Sequence, residues 1–136
     1  MRFLQITFLL LLPLIFSSCA EKEPDDYVKA GIEYTNQQEY DKAVEAFLKA
    51  IQKSPKNPEG YYGLGGIYNY KEMYHDAEQV FKMAIQLDPT HMDARYSLGY
   101  TYEMLGMKEE SEKEYQRYRE MKKKFDSMVK KDSETR

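Results

Sequence analysis

The stretch "GYYGLGGIYNY", Gly60–Tyr70, decides how the chain is read. It holds four of the seven glycines and four of the thirteen tyrosines. Glycine at this density usually marks a loop, and a GxGG cluster suggests backbone wrapped around a phosphate. Leu64, Ile67 and Tyr68, however, recur at helical spacing. No Lys-Ser or Lys-Thr follows the glycines, so the phosphate-loop pattern is not met. The flanking sequence chooses between loop and helix.

"YVKAGIEYTNQQEYDKAVEAFLKAIQKSPKN" starts at Tyr27, and "YYGLGGIYNYKEMYHDAEQVFKMAIQLDPTH" starts at Tyr61, 34 residues later. Aligned, Gly31 meets Gly65, Tyr34 meets Tyr68, Tyr40 meets Tyr74 and Ala43 meets Ala77. Phe47 meets Phe81, Ala50 meets Ala84, Ile51 meets Ile85 and Pro55 meets Pro89. One more step of 34 reaches Leu98, Gly99, Tyr102 and Tyr115, while Arg95, Ser111, Tyr118 and Lys123 depart from the pattern. A period of this length is the mark of a repeat architecture.

The pattern resembles the tetratricopeptide repeat (TPR) family over nearly all of residues 24–123. The resemblance implies an all-α solenoid of three helix-turn-helix repeats, at about 24–57, 58–91 and 92–125, within a repeat domain of 27–123. Large residues fill the space between paired helices, and small ones let the backbones approach. The expected helices are 25–37, 40–53, 59–71, 74–87, 92–105 and 108–130. Pro55 and Pro89 close the second helix of their repeats, because proline cannot donate a helical hydrogen bond. Residue 123 is not proline, so the last helix runs on as an extended cap, with an apolar stripe through Tyr115, Tyr118, Phe125, Met128 and Val129. Its outer face, including Glu109, Glu112, Lys113, Arg117 and Glu120, is expected in solvent, with pairs such as Glu109–Lys113 and Glu120–Lys124. Residues 124–136 end this helix and fray.

The first twenty residues are of another kind. "MRFLQITFLLLLPLIFSSCA" has one cation, Arg2, an apolar run from Phe8 to Phe16, and small residues before Cys19. That is the layout of a signal peptide, and the run is too short to span a bilayer comfortably. Ser17-Ser18-Cys19 resembles the cleavage motif of bacterial lipoproteins, with Phe16 where leucine is commoner. The resemblance implies removal of 1–18, lipidation of Cys19, and a short acidic tether over 19–26. Ala20 after the cysteine favours the bacterial outer membrane, facing either the periplasm or the exterior. Lipidation turns a secreted protein into an anchored one.

The remaining composition excludes more than it assigns. With 20 basic and 23 acidic residues the chain lacks the cationic face nucleic acid needs. Cys19 is the single cysteine, and His75 and His91 are read as surface histidines that form no ligand set. No nucleophile or metal motif is present, so neither catalysis nor a cofactor nor a small-molecule substrate is expected.

A protein or peptide partner is the better expectation. The family resemblance places repeat positions 2, 5, 9, 12 and 13 on a concave groove. These are Asp25, Val28, Ile32, Thr35 and Asn36; Glu59, Tyr62, Gly66, Asn69 and Tyr70; and Asp93, Tyr96, Tyr100, Glu103 and Met104. Tyr62, Gly66, Asn69, Tyr70, Tyr96, Tyr100 and Glu103 are the candidate binding residues. The other nine tyrosines fall at internal packing positions. Tyrosine offers contact area with few rotatable bonds and a polar tip. The alternative is that the groove tyrosines shield neighbouring helices or pack on the last one. Gly65 fills the packing position shared with Gly31 and Gly99, whereas Gly63 and Gly66 read as extra. The chaperone-binding branch of the family clamps a terminal carboxylate, but its clamp positions here are Val28, Ile32, Gly63, Asp93 and Ser97, none of them basic or asparagine. Scaffolding in envelope, secretion or pilus assembly, self-association, and service as an accessory subunit of an envelope enzyme all remain open.

Overall fold

The computed structural model describes residues 23–134, so residues 1–22, with Cys19 and the first half of the expected tether, lie outside it. Six helices follow in order: α1 (Pro24–Asn36), α2 (Tyr40–Lys53), α3 (Pro58–Tyr70), α4 (Tyr74–Leu87), α5 (Met92–Met104) and α6 (Lys108–Glu134). They pair as α1/α2, α3/α4 and α5/α6, and successive pairs stack. The fold is the all-α repeat array expected from the period of 34, with Gly60–Tyr70 on a helix.

Local chemistry sets the boundaries. Glu23 precedes α1, Pro24 takes a first helical position, and Asp25 and Asp26 fill the positive first turn. The Glu23 N–H donates back to Asp26 Oδ2 at 3.3 Å. The tether therefore ends before Pro24 rather than at Asp26. α2 and α4 stop ahead of Pro55 and Pro89, and the intervening Ser54 and Asp88 leave the helical region with ψ of 82° and 95°. Each turn between paired helices carries one residue at positive φ: Gln38 at 61°, Glu72 at 58° and Gly106 at 75°. These lie 34 residues apart, and only the third uses the residue type that adopts this conformation without a steric cost.

Phe47 and Phe81 are almost wholly buried, at 2% and 0% exposure. Each lies against a glycine of its partner helix. A Cβ on Gly31 would sit 2.6 Å from the Phe47 ring, and one on Gly65 would sit 2.6 Å from the Phe81 ring. In the third repeat Tyr115 takes the aromatic place, and a Cβ on Gly99 would meet it at 2.8 Å. Ala43, Ala50, Ala77 and Ala84 close the remaining space. Gly63 is not extra: its Cβ would also strike the Phe47 ring, so one ring fills the space left by glycines of two successive repeats. The nine internal tyrosines are all buried or half-buried.

The third repeat departs from the pattern in a compensated way. Arg95 stands where the earlier repeats have Tyr27 and Tyr61, and Glu114 stands where they have Ala46 and Val80. Arg95 Nη1 donates to Glu114 Oε2 at 3.0 Å, and Arg117 Nη1 donates to Oε1 at 2.8 Å. Arg95 also donates to the Pro89 carbonyl at 3.1 Å. Ser111 is buried at the Ala43/Ala77 position.

α6 is capped by solvent rather than by another helix. Its backbone packs on α5 alone, and every residue from Lys122 to Glu134 is exposed. The polar face forms Arg119–Glu112 at 2.6 Å and Lys122–Asp126 at 3.7 Å, and Glu120 accepts from Gln116 instead of pairing with Lys124. The C-terminal half of the stripe stays bare: Phe125, Met128 and Val129 are each about half exposed.

Two predictions concern stability. Gln38→Gly and Glu72→Gly should each stabilise the fold by about 1 kcal/mol in urea unfolding, and Gly106→Ala should destabilise it by a similar amount. Glu114→Ala should cost about 3 kcal/mol by leaving Arg95 without its carboxylate. The double variant Arg95→Tyr with Glu114→Ala, which restores the pattern of the first repeat, should recover most of that loss.

Candidate functional site

The first helices of the three repeats, α1, α3 and α5, lie side by side and form one wall. Of the fifteen residues expected on its concave face, most are exposed, including Ile32, Tyr70, Tyr96, Tyr100 and Met104. Thr35, Tyr62 and Asn69 are half-buried, and Val28, at 9% exposure, joins the core around Phe47.

A cleft of about 380 Å³ opens between α1 and α3. Ile32, Thr35 and Asn36 line it from α1; Tyr62, Gly63, Gly66, Ile67 and Tyr70 line it from α3; Tyr40 and the buried Phe47 line it from α2. Glycine makes this space. Gly63 is bare because Phe47 demands it, whereas a Cβ on Gly66 would meet nothing within 4 Å. The rim is aromatic: the Tyr40 and Tyr70 rings lie 4.2 Å apart, and Tyr70 is 63% exposed.

The other candidate residues divide. Tyr62 is half-buried, with its ring 4.7 Å from His91 and 6.1 Å from Phe81. Burial and the Asp93 carboxylate push its hydroxyl up from the ordinary tyrosine value, with Ser97 opposing. Asn69 is committed inward, since its Oδ1 accepts from the buried Thr101 hydroxyl at 3.0 Å. Tyr96 packs on the last helix, 5.4 Å from Tyr115 and 5.3 Å from Tyr118. Glu103 accepts from the Tyr115 hydroxyl at 3.2 Å. Tyr100 stays exposed beside Tyr74. Cys19 lies outside the described residues. The arrangement brings Tyr62, Gly66 and Tyr70 together at one opening, while Asn69, Tyr96 and Glu103 tie α5 to its neighbours.

His91 is more than a surface histidine. Its Nδ1 accepts from the Ala94 N–H at 3.2 Å and caps α5, its side chain is only 9% exposed, and its Nε2 lies 3.4 Å from Glu59. The signal that could have found it is its place immediately before α5, where a side-chain acceptor satisfies an unpaired helical N–H. Among the described residues no His, Cys, Asp and Glu group is arranged to hold a metal ion, and no helix is long and apolar enough to cross a membrane.

Three family models match in tandem: a TPR repeat over residues 31–71, and tetratricopeptide repeats over 58–91 and 80–113. The chain is a tetratricopeptide repeat protein. Solved structures agree on the fold. The first TPR domain of Spaghetti (RPAP3), bound to the HSP90 peptide SRMEEVD, superposes with a TM-score of 0.71 at 24% identity, over 73% of this chain and 79% of that one. MamA superposes with 0.73 at 24%, over 77% and 61%. The Arabidopsis OM64 TPR domain gives 0.72 at 18%, over 74% and 84%. No curated protein matches the sequence. TPR domains are typically non-catalytic binding modules.

The tyrosines generate a pH prediction. Burial and the Glu103 carboxylate push the Tyr115 hydroxyl up to about 12, against about 10 for an unfolded chain. A value raised on folding means that stability is full below pH about 10 and falls as pH climbs towards 12. Helical circular dichroism should therefore decline in step with tyrosinate absorbance over that window. Tyr115→Phe should make the decline shallower.

Proposed function

We propose that this TPR protein is a non-catalytic, lipid-anchored adaptor of the bacterial cell envelope. In this reading Cys19 carries the lipid, a few residues separate it from α1, and the concave wall holds a segment of a partner protein. The observation that carries the proposal is the open cleft at Gly66, rimmed by Tyr62 and Tyr70 on a helix otherwise packed to its neighbours. Aromatic rims around an apolar hollow supply most of the binding energy in many interfaces. The peptide-bound Spaghetti (RPAP3) domain has the same fold and supports a peptide-binding use of it. The basic clamp expected for a terminal carboxylate is missing, so this groove recognises its partner by apolar and aromatic contact.

Membrane placement rests on the leader sequence: the apolar run, Ser17-Ser18 before Cys19, and Ala20 after it. These support attachment at the outer membrane, on either its periplasmic or its outer side. Several acyl chains anchor stably, because each buried methylene contributes about 0.8 kcal/mol.

Crosslinking and pull-down from native membranes test the groove. Gly66→Tyr fills the cleft from a position where a Cβ meets nothing within 4 Å, and Tyr70→Ala removes its rim. Both should lose partners that the unaltered protein retains, with helicity preserved; an unchanged set of partners refutes groove binding. Metabolic labelling with palmitate tests the anchor separately. Cys19→Ser should abolish the label, and persistent labelling rules the anchor out.

A further inference from the structure

We propose that the concave cleft accepts the C-terminal tail of α6 from a second copy of this chain, with Phe125 as the inserted side chain. The inference rests on the groove reading above and names an occupant for it. Two surfaces are left without partners in the described structure, and they are complementary in polarity and charge.

The donor surface is the overhanging end of α6. From Lys122 onward every described residue is exposed over about 20 Å of helix, with Phe125 and Met128 beside an open hollow that Thr90 and Met92 line from the body. Met121, Phe125 and Met128 run along it at spacings of four and three. Lys122, Lys123 and Lys124 flank that stripe; Lys122 pairs with Asp126, and residues 122–131 still carry five lysines against that one aspartate, giving a cationic helix with one apolar edge. Solvent-exposed apolar stripes of this kind mark contact surfaces.

The acceptor surface has the opposite character. α1, α3 and α5 together carry six carboxylates against two basic side chains, and one of those two, Arg95, is already bound to Glu114. Asp25, Glu59 and Asp93 repeat at intervals of 34, all exposed, and form an acidic ladder along the edge of the wall where these helices begin. Beside the ladder lies the apolar cleft. Tyr100 occupies, one repeat later, the position that Gly66 holds, so the fold itself seats an aromatic ring at this place. Gly66 leaves that seat empty for a ring supplied from outside.

The tail cannot serve its own groove. α6 contains neither proline nor glycine between Lys108 and Glu134 and is one continuous helix, so it cannot fold back across the wall. The contact is therefore head to tail between copies, and it closes into a ring or extends along the membrane according to the angle it imposes. A partner protein that uses the same cleft must displace the tail.

Photo-crosslinking in the full chain tests this. Phe125 is replaced by benzoylphenylalanine, and a second, differently tagged copy is expressed alongside. The expected crosslink joins position 125 to residues 62–70 of the other copy. It should vanish with Gly66→Tyr in the acceptor. It should fall about tenfold when the acceptor carries Glu59→Lys and Asp93→Lys, and return when the donor also carries Lys122→Glu and Lys124→Glu. A crosslink to α6 of the other copy, to a different protein only, or one indifferent to these changes overturns the inference. Benzoylphenylalanine at Tyr70 separates the two readings: capture of a foreign protein with no self-crosslink overturns the tail assignment and keeps the groove, whereas capture of nothing removes both. Phe125 is exposed, so Phe125→Ser leaves the core intact; it should abolish self-association seen by light scattering, and retained association counts against the proposal.

Discussion

The structure depends on aromatic rings seated on bare backbone. Phe47 occupies the space left by Gly31 and Gly63, Phe81 that left by Gly65, and Tyr115 that left by Gly99. A methyl group at any of these glycines would overlap a ring. The constraint sets the distance between paired helices and, through Gly63, the distance between the first two repeats. Glycine inside a helix costs up to about 1 kcal/mol relative to alanine, and burial of a phenylalanine side chain contributes about 1.5–3 kcal/mol. The balance favours the ring, which explains a glycine-rich segment that is nevertheless helical.

The candidate groove is a side effect of this packing. Gly63 is demanded from behind, and Gly66 leaves the front of the same helix open. Aromatic side chains on neighbouring turns then have a hollow to frame. The third repeat lacks such a hollow in its design: Tyr100 stands in place of Gly66, and Tyr96 lies over Tyr115 and Tyr118. The open hollow thereby lies in the first half of the wall, and packing on the last helix in the second.

Much of this was legible in the chain. A period of 34 placed all six helices to within about a residue at most boundaries, because proline, alanine and aromatic positions each have a fixed geometric task. Three things were not legible. Gly63 looked redundant, since the ring that excludes a side chain there belongs to the preceding repeat, sixteen residues upstream. Arg95 looked like a defect, and its match appears only when Glu114 is brought beside it by the α5/α6 hairpin. Asn69 and Glu103 sat at groove positions, but their hydrogen bonds to Thr101 and Tyr115 turn them towards neighbouring helices. Each of these requires knowing which residues share space across elements, and a repeat pattern describes only the average neighbour.

The seating of rings also grades the molecule along its length. Phe47 bears on two repeats at once, whereas the ring of the third repeat, Tyr115, has glycine on one side only, and Ser97 stands where Gly63 would recur. Beyond Met121 the last helix has only Thr90 and Met92, across an open hollow, on its inner side. In a linear array, where each unit leans only on its neighbours, the exposed end of α6 is therefore the least supported part of the fold. Backbone amides from Lys122 to Glu134, held by their own helix alone, will exchange with solvent ahead of those in the five packed helices.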